Sequence, residues 1–172
     1  MKLHLGSGHK LKEGYLNIDM VDIVDPRFLK WDLRQGFPSH INNVEFIYSE
    51  HFWEHLTHEE GCKLMSECFN IMKAGAKIKI VVPCFKILAN AYVNNNLQHF
   101  APISFYSPKN RMMEYVINSL YQWGEHKCHY DAKHLIDTLT DHGFKNAKEV
   151  EFDPSQDSFE RRQFSCYVEA EK

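Results

Sequence analysis

Two groups of residues in the 172-residue chain have the types and spacing to do chemistry. Gly6-Ser7-Gly8 follows the short alternating run Leu3-His4-Leu5, and Asp19 ends the next run, Tyr15-Leu16-Asn17-Ile18-Asp19. A glycine pair after a strand lets the backbone turn sharply and approach a ligand closely. An acid closing the next strand stands where a carboxylate accepts hydrogen bonds from ribose hydroxyls. Together they point to a ligand containing a nucleoside. The nicotinamide fingerprint G-x-G-x-x-G is excluded, because its third glycine would fall at Leu11. The second group, His51-Phe52-Trp53-Glu54-His55, has the H-x-x-E-H spacing in which two histidines hold zinc and the glutamate activates water. Such a motif belongs inside a long helix and needs a third protein ligand. Here it follows a strand directly, a new helix cap stands at Thr57, and only a distant acid such as Glu114 is available. A zinc hydrolase acting through His51, Glu54 and His55 is therefore the least favoured reading, and no metal ligand is assigned.

The elements that must position these residues alternate along the chain. Runs at Leu3–Leu5, Tyr15–Asp19, Phe28–Leu33, Val44–Ser49 and Lys77–Val82 read as strands, the fourth rich in β-branched and aromatic residues. Thr57 and Glu60 stand at capping-box spacing before Leu64, Met65, Cys68, Phe69 and Met72, predicting a helix that Gly75 stops. A second helix spans Ala132–Asp141, capped by Asp131 and followed by Gly143. Ala147–Phe152 and Phe164–Val168 read as two closing strands. This order predicts one α/β domain over 1–172: a Rossmann-like, doubly wound, mainly parallel sheet of about seven strands with an antiparallel edge strand. In such a sheet ligands bind beyond the carboxyl ends of the strands. Gly6-Ser7-Gly8, Asp19, Asp32 and Ser49-Glu50-His51 all lie just past such ends, so they should converge on one crevice. Only six residues, His9 to Gly14, separate the glycine turn from the second strand, which reduces the first crossover to a loop or a single turn.

Totals exclude more than they assign. With 20 basic against 23 acidic side chains and a charge of −3, the chain shows no electrostatic footprint for duplex nucleic acid. The longest apolar run, Ile78–Pro83 broken by Lys79, is far short of the ~20 residues that cross a bilayer, and the N-terminus lacks the apolar stretch of a secretory signal. A cytoplasmic location is expected, with no membrane partner. Five cysteines without a C-x-x-C pair argue against a disulfide framework or zinc ribbon. Of the 11 histidines, His40, His58 and His142 read as solvated surface groups.

In sequence order, these blocks resemble the class I S-adenosylmethionine-dependent methyltransferases. The resemblance is carried by Leu3–Gly8, Gly14–Asp19, Trp31-Asp32-Leu33, Ile47–Leu56, Met72–Ala76 leading into Val81-Val82-Pro83, and Tyr130-Asp131 through Gly143-Phe144. It implies that Gly6, Ser7 and Gly8 face the methionine portion of S-adenosylmethionine, with Ser49 also on the cofactor side. It further implies that Asp19 holds the ribose, Met20 lies against the adenine, Asp32 accepts from the adenine amino group and Leu33 donates a backbone N–H. The sequence departs from the family in lacking the third glycine, in its reduced first crossover and in Lys73-Ala74-Gly75-Ala76 at the usual Lys-Pro-Gly-Gly turn.

The loop after the fourth strand would then border the sulfonium methyl. His51 is the expected base where the acceptor must lose a proton, because the unperturbed histidine pKa of ~6.5 is near working pH. Glu54 stands beside it, and His129, with His99, is placed on the acceptor side. Residues 84–130 hold nine of the 23 aromatic residues and are expected to form a lid or substrate-recognition insertion. Within it a helix should start at Ser107-Pro108 and bury Met112, Met113, Val116, Ile117 and Leu120. The expected activity is methyl transfer to oxygen or nitrogen of a small-molecule or sugar-like acceptor, in a chain that allows a homodimer. A non-catalytic nucleoside-binding regulator is the alternative.

Overall fold

The computed structural model describes residues 1–107 and 109–172, and every side chain among them except that of Ser104. Seven strands form one sheet: β1 (Lys2–Leu5), β2 (Leu16–Asp19), β3 (Phe28–Lys30), β4 (Val44–Glu50), β5 (Met72–Pro83), β6 (Lys145–Glu149) and β7 (Ser165–Glu171). Their order is β3-β2-β1-β4-β5-β7-β6. The first five are mutually parallel, and β7 runs antiparallel to both β5 and β6. The expected mainly parallel, Rossmann-like sheet with a reversed strand toward one edge is therefore present.

Strand periodicity divides the sheet into two unlike faces. On one, Leu3, Leu5, Ile18, Ile47, Ile78, Ile80, Val82 and Val168 meet the buried sides of α1 (His58–Ile71) and α4 (Ala132–Asp141), through Leu64, Met65, Cys68, Leu135 and Leu139. Both helices begin as their sequences dictate. The Thr57 hydroxyl accepts the Glu60 N–H while the Glu60 carboxylate accepts the Thr57 N–H, and Asp131 accepts the His134 N–H. Gly75 does not end α1. The chain enters β5 directly at Met72, and Gly75, at φ +75°, lies within a register shift of that strand. A glycine that reaches positive φ serves a strand irregularity as well as a helix end.

The other face carries a polar row: Asn17, His4, Tyr48 and Lys79 stand side by side on β2, β1, β4 and β5. Its small apolar cluster of Tyr48, Val81 and Tyr167 is flanked by Tyr15, Phe46, Val150 and Phe152, and no helix residue contributes among the described residues. Loops cover it instead. The first crossover, residues 6–15, is a loop held by Asn17, whose amide donates to the carbonyls of Lys12, Tyr15 and Arg27 while its oxygen accepts the Lys12 N–H and His4 Nδ1–H. Burial holds the His4 pKa down at about 4, against 6.5 for an ordinary histidine. The unfolded chain therefore takes up this proton first, and stability is lost as pH falls from about 6.5 to 4, by up to about 3 kcal/mol. Urea unfolding at pH 7 and pH 5 should show this decline, and His4→Gln should flatten it; an unchanged slope would assign it elsewhere.

Residues 84–130 leave the end of β5 as α2 (Phe85–Val93), a 3-10 segment over Leu97–Tyr106, and α3 (Met112–Tyr121), with their own core of Ala91, Phe100 and Tyr115. The helix expected from Ser107-Pro108 starts at Met112 instead, and Pro108 lies outside the described residues. Tyr115 anchors α3 by stacking on Phe100, whereas Met113 and Ile117 are exposed. No described helix is long and apolar enough to cross a membrane.

Candidate functional site

The chain reverses its direction of growth between β1 and β4, and a crevice of about 1000 Å³ opens at their carboxyl ends. Gly6, Ser7, Gly8, Asp19, Met20, Asp32, Leu33 and His51 line it together. Ser49 does not: it is fully buried, its side chain on the helix-facing side of β4, and its hydroxyl has no hydrogen-bond partner among the described residues. Strand alternation places Glu50, one residue on, in the crevice wall instead.

The glycine turn is tied down by its own N–H groups. Those of Gly6 and Ser7 donate to the Ile18 carbonyl at 2.9 and 3.3 Å, and that of Gly8 donates to Asp19 Oδ2 at 2.8 Å. The second Asp19 oxygen accepts the Met20 N–H at 2.6 Å. The turn thus offers a ligand close approach rather than spare donors. Gly6 and Gly8 both have positive φ, but their surroundings differ. A Cβ at Gly6 would lie 2.3 Å from Phe52 Cβ, whereas one at Gly8 would meet nothing within 4 Å. Gly6→Ala should therefore cost about 2–4 kcal/mol and Gly8→Ala about 1 kcal/mol. Equal shifts in urea midpoint would contradict the packing role of Phe52.

Asp32 is held by its neighbour. Arg34 donates its backbone N–H, Nε–H and Nη2–H to the carboxylate at 2.8–3.0 Å, which lowers the Asp32 pKa. An adenine amino group would share this carboxylate with Arg34.

A second chamber of about 280 Å³ lies under residues 84–130. Phe85, Ile87, Leu88, Ile103 and Phe164 make its walls largely apolar, and His99, His126 and His129 add imidazoles. His51 and Arg161 line both cavities and so stand in the partition between them. Following β4, His51 has the left-handed φ of +55°, a strained conformation fixed by its N–H donating to the Val81 carbonyl at 2.8 Å. Ser165 Oγ donates to the Arg161 carbonyl and so accepts Nε2–H of His51 at 2.8 Å, leaving the Nδ1 lone pair free. Burial, with the Arg161 charge nearby, holds the His51 pKa well below the usual histidine value, so the imidazole is neutral and able to accept a proton but is a weaker base than the unperturbed value assumed from sequence.

Glu54 departs from its expected place. It is 2% exposed in the 3-10 turn Trp53–His55, lines neither cavity, and has no hydrogen-bond partner for either side-chain oxygen among the described residues. The turn folds it inward beneath His51, whose Nδ1 is 3.7 Å from Glu54 Oε1. Burial raises its pKa to about 8. Sequence reasoning missed Arg161, which donates to the Glu50 carbonyl at 2.9 Å, and His126. Neither lies near a motif, because His126 comes from the loop after α3 and Arg161 from the 3-10 helix Phe159–Phe164 before β7.

No family model and no curated protein matches the sequence. Solved structures do match the fold. A SAM-dependent methyltransferase from Archaeoglobus fulgidus superposes with a TM-score of 0.62 at 17% identity, over 99% of this chain and 85% of that one. The protein in complex with the Trm112 methyltransferase activator of Haloferax volcanii gives 0.59 at 10% identity, over 99% and 80%. PigF with SAH gives 0.58 at 11% identity over 99% of this chain, which spans half of that protein. The strand order, the crevice at the switch point and these superpositions agree: the chain has the Rossmann-like fold of the class I S-adenosylmethionine-dependent methyltransferases.

Proposed function

We propose that the chain transfers a methyl group from S-adenosylmethionine to a hydroxyl or amine of a small molecule. One observation carries this reading: a nucleoside-sized crevice and a smaller, apolar chamber share a partition made by His51 and Arg161. Methyl transfer needs two ligands meeting in line in a site that excludes water.

The residues present fit the cofactor. Asp19 accepts three backbone N–H groups, two of them at Oδ1, and its Oδ2 keeps a lone pair beside the open face of Gly8 that would accept a ribose hydroxyl, the second hydroxyl sharing Oδ1 with the weaker Val21 bond. The Gly6–Gly8 backbone would lie against the methionine portion, Met20 would lie against the adenine, Leu33 would offer its backbone N–H, and Asp32 with Arg34 would meet the adenine edge. When bound, S-adenosylmethionine supplies an electrophilic sulfonium methyl, whose C–S bond breaks with its electrons left on sulfur as the acceptor lone pair bonds to carbon. His51 presents its Nδ1 lone pair at the partition, where it can take the proton that a hydroxyl loses. His129 and His99 would orient the acceptor. The chamber walls favour an acceptor with a small apolar body over a sugar-like one, whose hydroxyls would lose water without gaining partners.

The test uses the purified chain, S-adenosylmethionine labelled in the methyl group, and panels of phenols, alcohols, amines and sugars. Label should move to an apolar alcohol, phenol or amine and be lost in His51→Ala for hydroxyl acceptors. Cofactor binding without transfer to any panel member would favour a non-catalytic regulator, and label on sugars would contradict the acceptor class.

A further inference from the structure

We propose that Glu54, His55 and His126 form a binding site for a divalent transition-metal ion of the zinc class. One ligand atom from each of the three lies within 4.8 Å of the others. Zinc bonds of about 2.0–2.2 Å set tetrahedral ligand atoms about 3.4 Å apart, so the set closes with movements under about 1 Å per side chain.

Each residue is prepared for this role. Glu54 is 2% exposed and aimed into the cluster, with neither oxygen hydrogen-bonded among the described residues. Such a group costs free energy unless a donor or cation meets it. The two histidines are oriented from behind. Nδ1–H of His55 donates to the Glu125 carbonyl at 3.3 Å, and Nδ1–H of His126 to the Ser119 carbonyl at 3.2 Å. Both tautomers therefore leave Nε2 with its lone pair, as metal-ligating histidines require. His55 Nε2 is already 4.0 Å from Glu54 Oε1. The backbone holds the two halves together, since the N–H groups of Lys127 and Cys128 both donate to the Glu54 carbonyl, at 2.7 and 3.2 Å.

This is not the ligand set suggested by H-x-x-E-H spacing. His51 has its Nε2 committed to Ser165, and the third ligand is His126, brought in by the insertion. Three protein ligands leave a fourth position open, the arrangement of zinc sites that act on substrates. His55 lines the crevice and His126 the chamber, so the ion would sit beside the partition. If the methyl-transfer reading holds, a cation there polarises an acceptor oxygen and selects hydroxyl acceptors. Metal binding itself does not depend on that reading.

The experiment strips the purified full chain with chelator, adds zinc, dialyses, and measures bound metal by elemental analysis; cobalt(II) is added in parallel. One zinc per chain and the intense visible absorption of tetrahedral cobalt are expected. Glu54→Gln and His126→Ala should each weaken zinc binding on the order of 100-fold, and His58→Ala should not change it. Substoichiometric zinc, a weak octahedral cobalt spectrum, or affinity unchanged in both variants would overturn the site. The cobalt spectrum of the unaltered chain decides the matter should a variant fail to fold. Calorimetry with S-adenosylhomocysteine runs beside it: cofactor binding without zinc overturns the metal site alone, and zinc without cofactor binding leaves the site standing while methyl transfer fails.

Discussion

Asp19→Ala is expected to weaken S-adenosylmethionine binding by about 100-fold or more, the largest loss of affinity from any single side chain. Two hydrogen bonds from ribose hydroxyls to a carboxylate contribute about 1.5–3 kcal/mol each, and their joint loss corresponds to two decades or more in Kd. The variant also releases the Gly8, Met20 and Val21 N–H groups that Asp19 now accepts, so the glycine turn loses its tether. Asp19→Asn separates these effects, since the amide oxygen can still accept while the charge is gone, and it should fall between the two. Equilibrium dialysis with labelled cofactor measures the change, and thermal melting shows that the chain remains folded. A loss below threefold in a folded Asp19→Ala variant would remove Asp19 from the ribose site.

The second large effect concerns stability. Lys79 and Asp157 form a buried ion pair at 2.9 Å, with both side chains at most 2% exposed. Asp157 also accepts from the Tyr48 hydroxyl at 3.2 Å and the Asp153 N–H at 2.8 Å. It thereby fastens the loop between β6 and β7 onto the face of the sheet that carries Tyr48 and Lys79. Asp157→Asn leaves a buried, unneutralised ammonium and should cost about 3–5 kcal/mol, a large share of the roughly 5–15 kcal/mol that holds a domain folded. Replacing both partners, Lys79→Met with Asp157→Leu, should recover most of it, because the desolvation cost leaves with the charges. Urea unfolding measures both. A loss under about 1 kcal/mol for Asp157→Asn would show that water or another group reaches Lys79.

Much of the fold is legible in the sequence because local physics and tertiary packing agree there. Thr57 with Glu60 and Asp131 cap their helices as their positions predict, and the alternation in Leu3-His4-Leu5 separates the two faces of the sheet. The failures arise where one residue type serves two purposes. Gly75 reads as a helix stop but relieves a bulge, and the apolar spacing in α3 reads as a buried face although Met113 and Ile117 point outward while Tyr115 anchors the helix. In the candidate site, strand ends bring the glycine turn, Asp19 and Asp32 together as sequence order predicts. Ser49 fails by one position of strand alternation. His126 and Arg161 were not legible, since a contact set by chain folding between distant segments leaves no local spacing to read.

Titration of the purified chain with S-adenosylhomocysteine in a calorimeter tests the central claim, that the crevice between β1 and β4 holds the methyl donor. One molecule bound per chain with micromolar affinity, abolished by Asp19→Ala, is the predicted result. No heat at millimolar ligand, or binding that Asp19→Ala leaves unchanged, would contradict it.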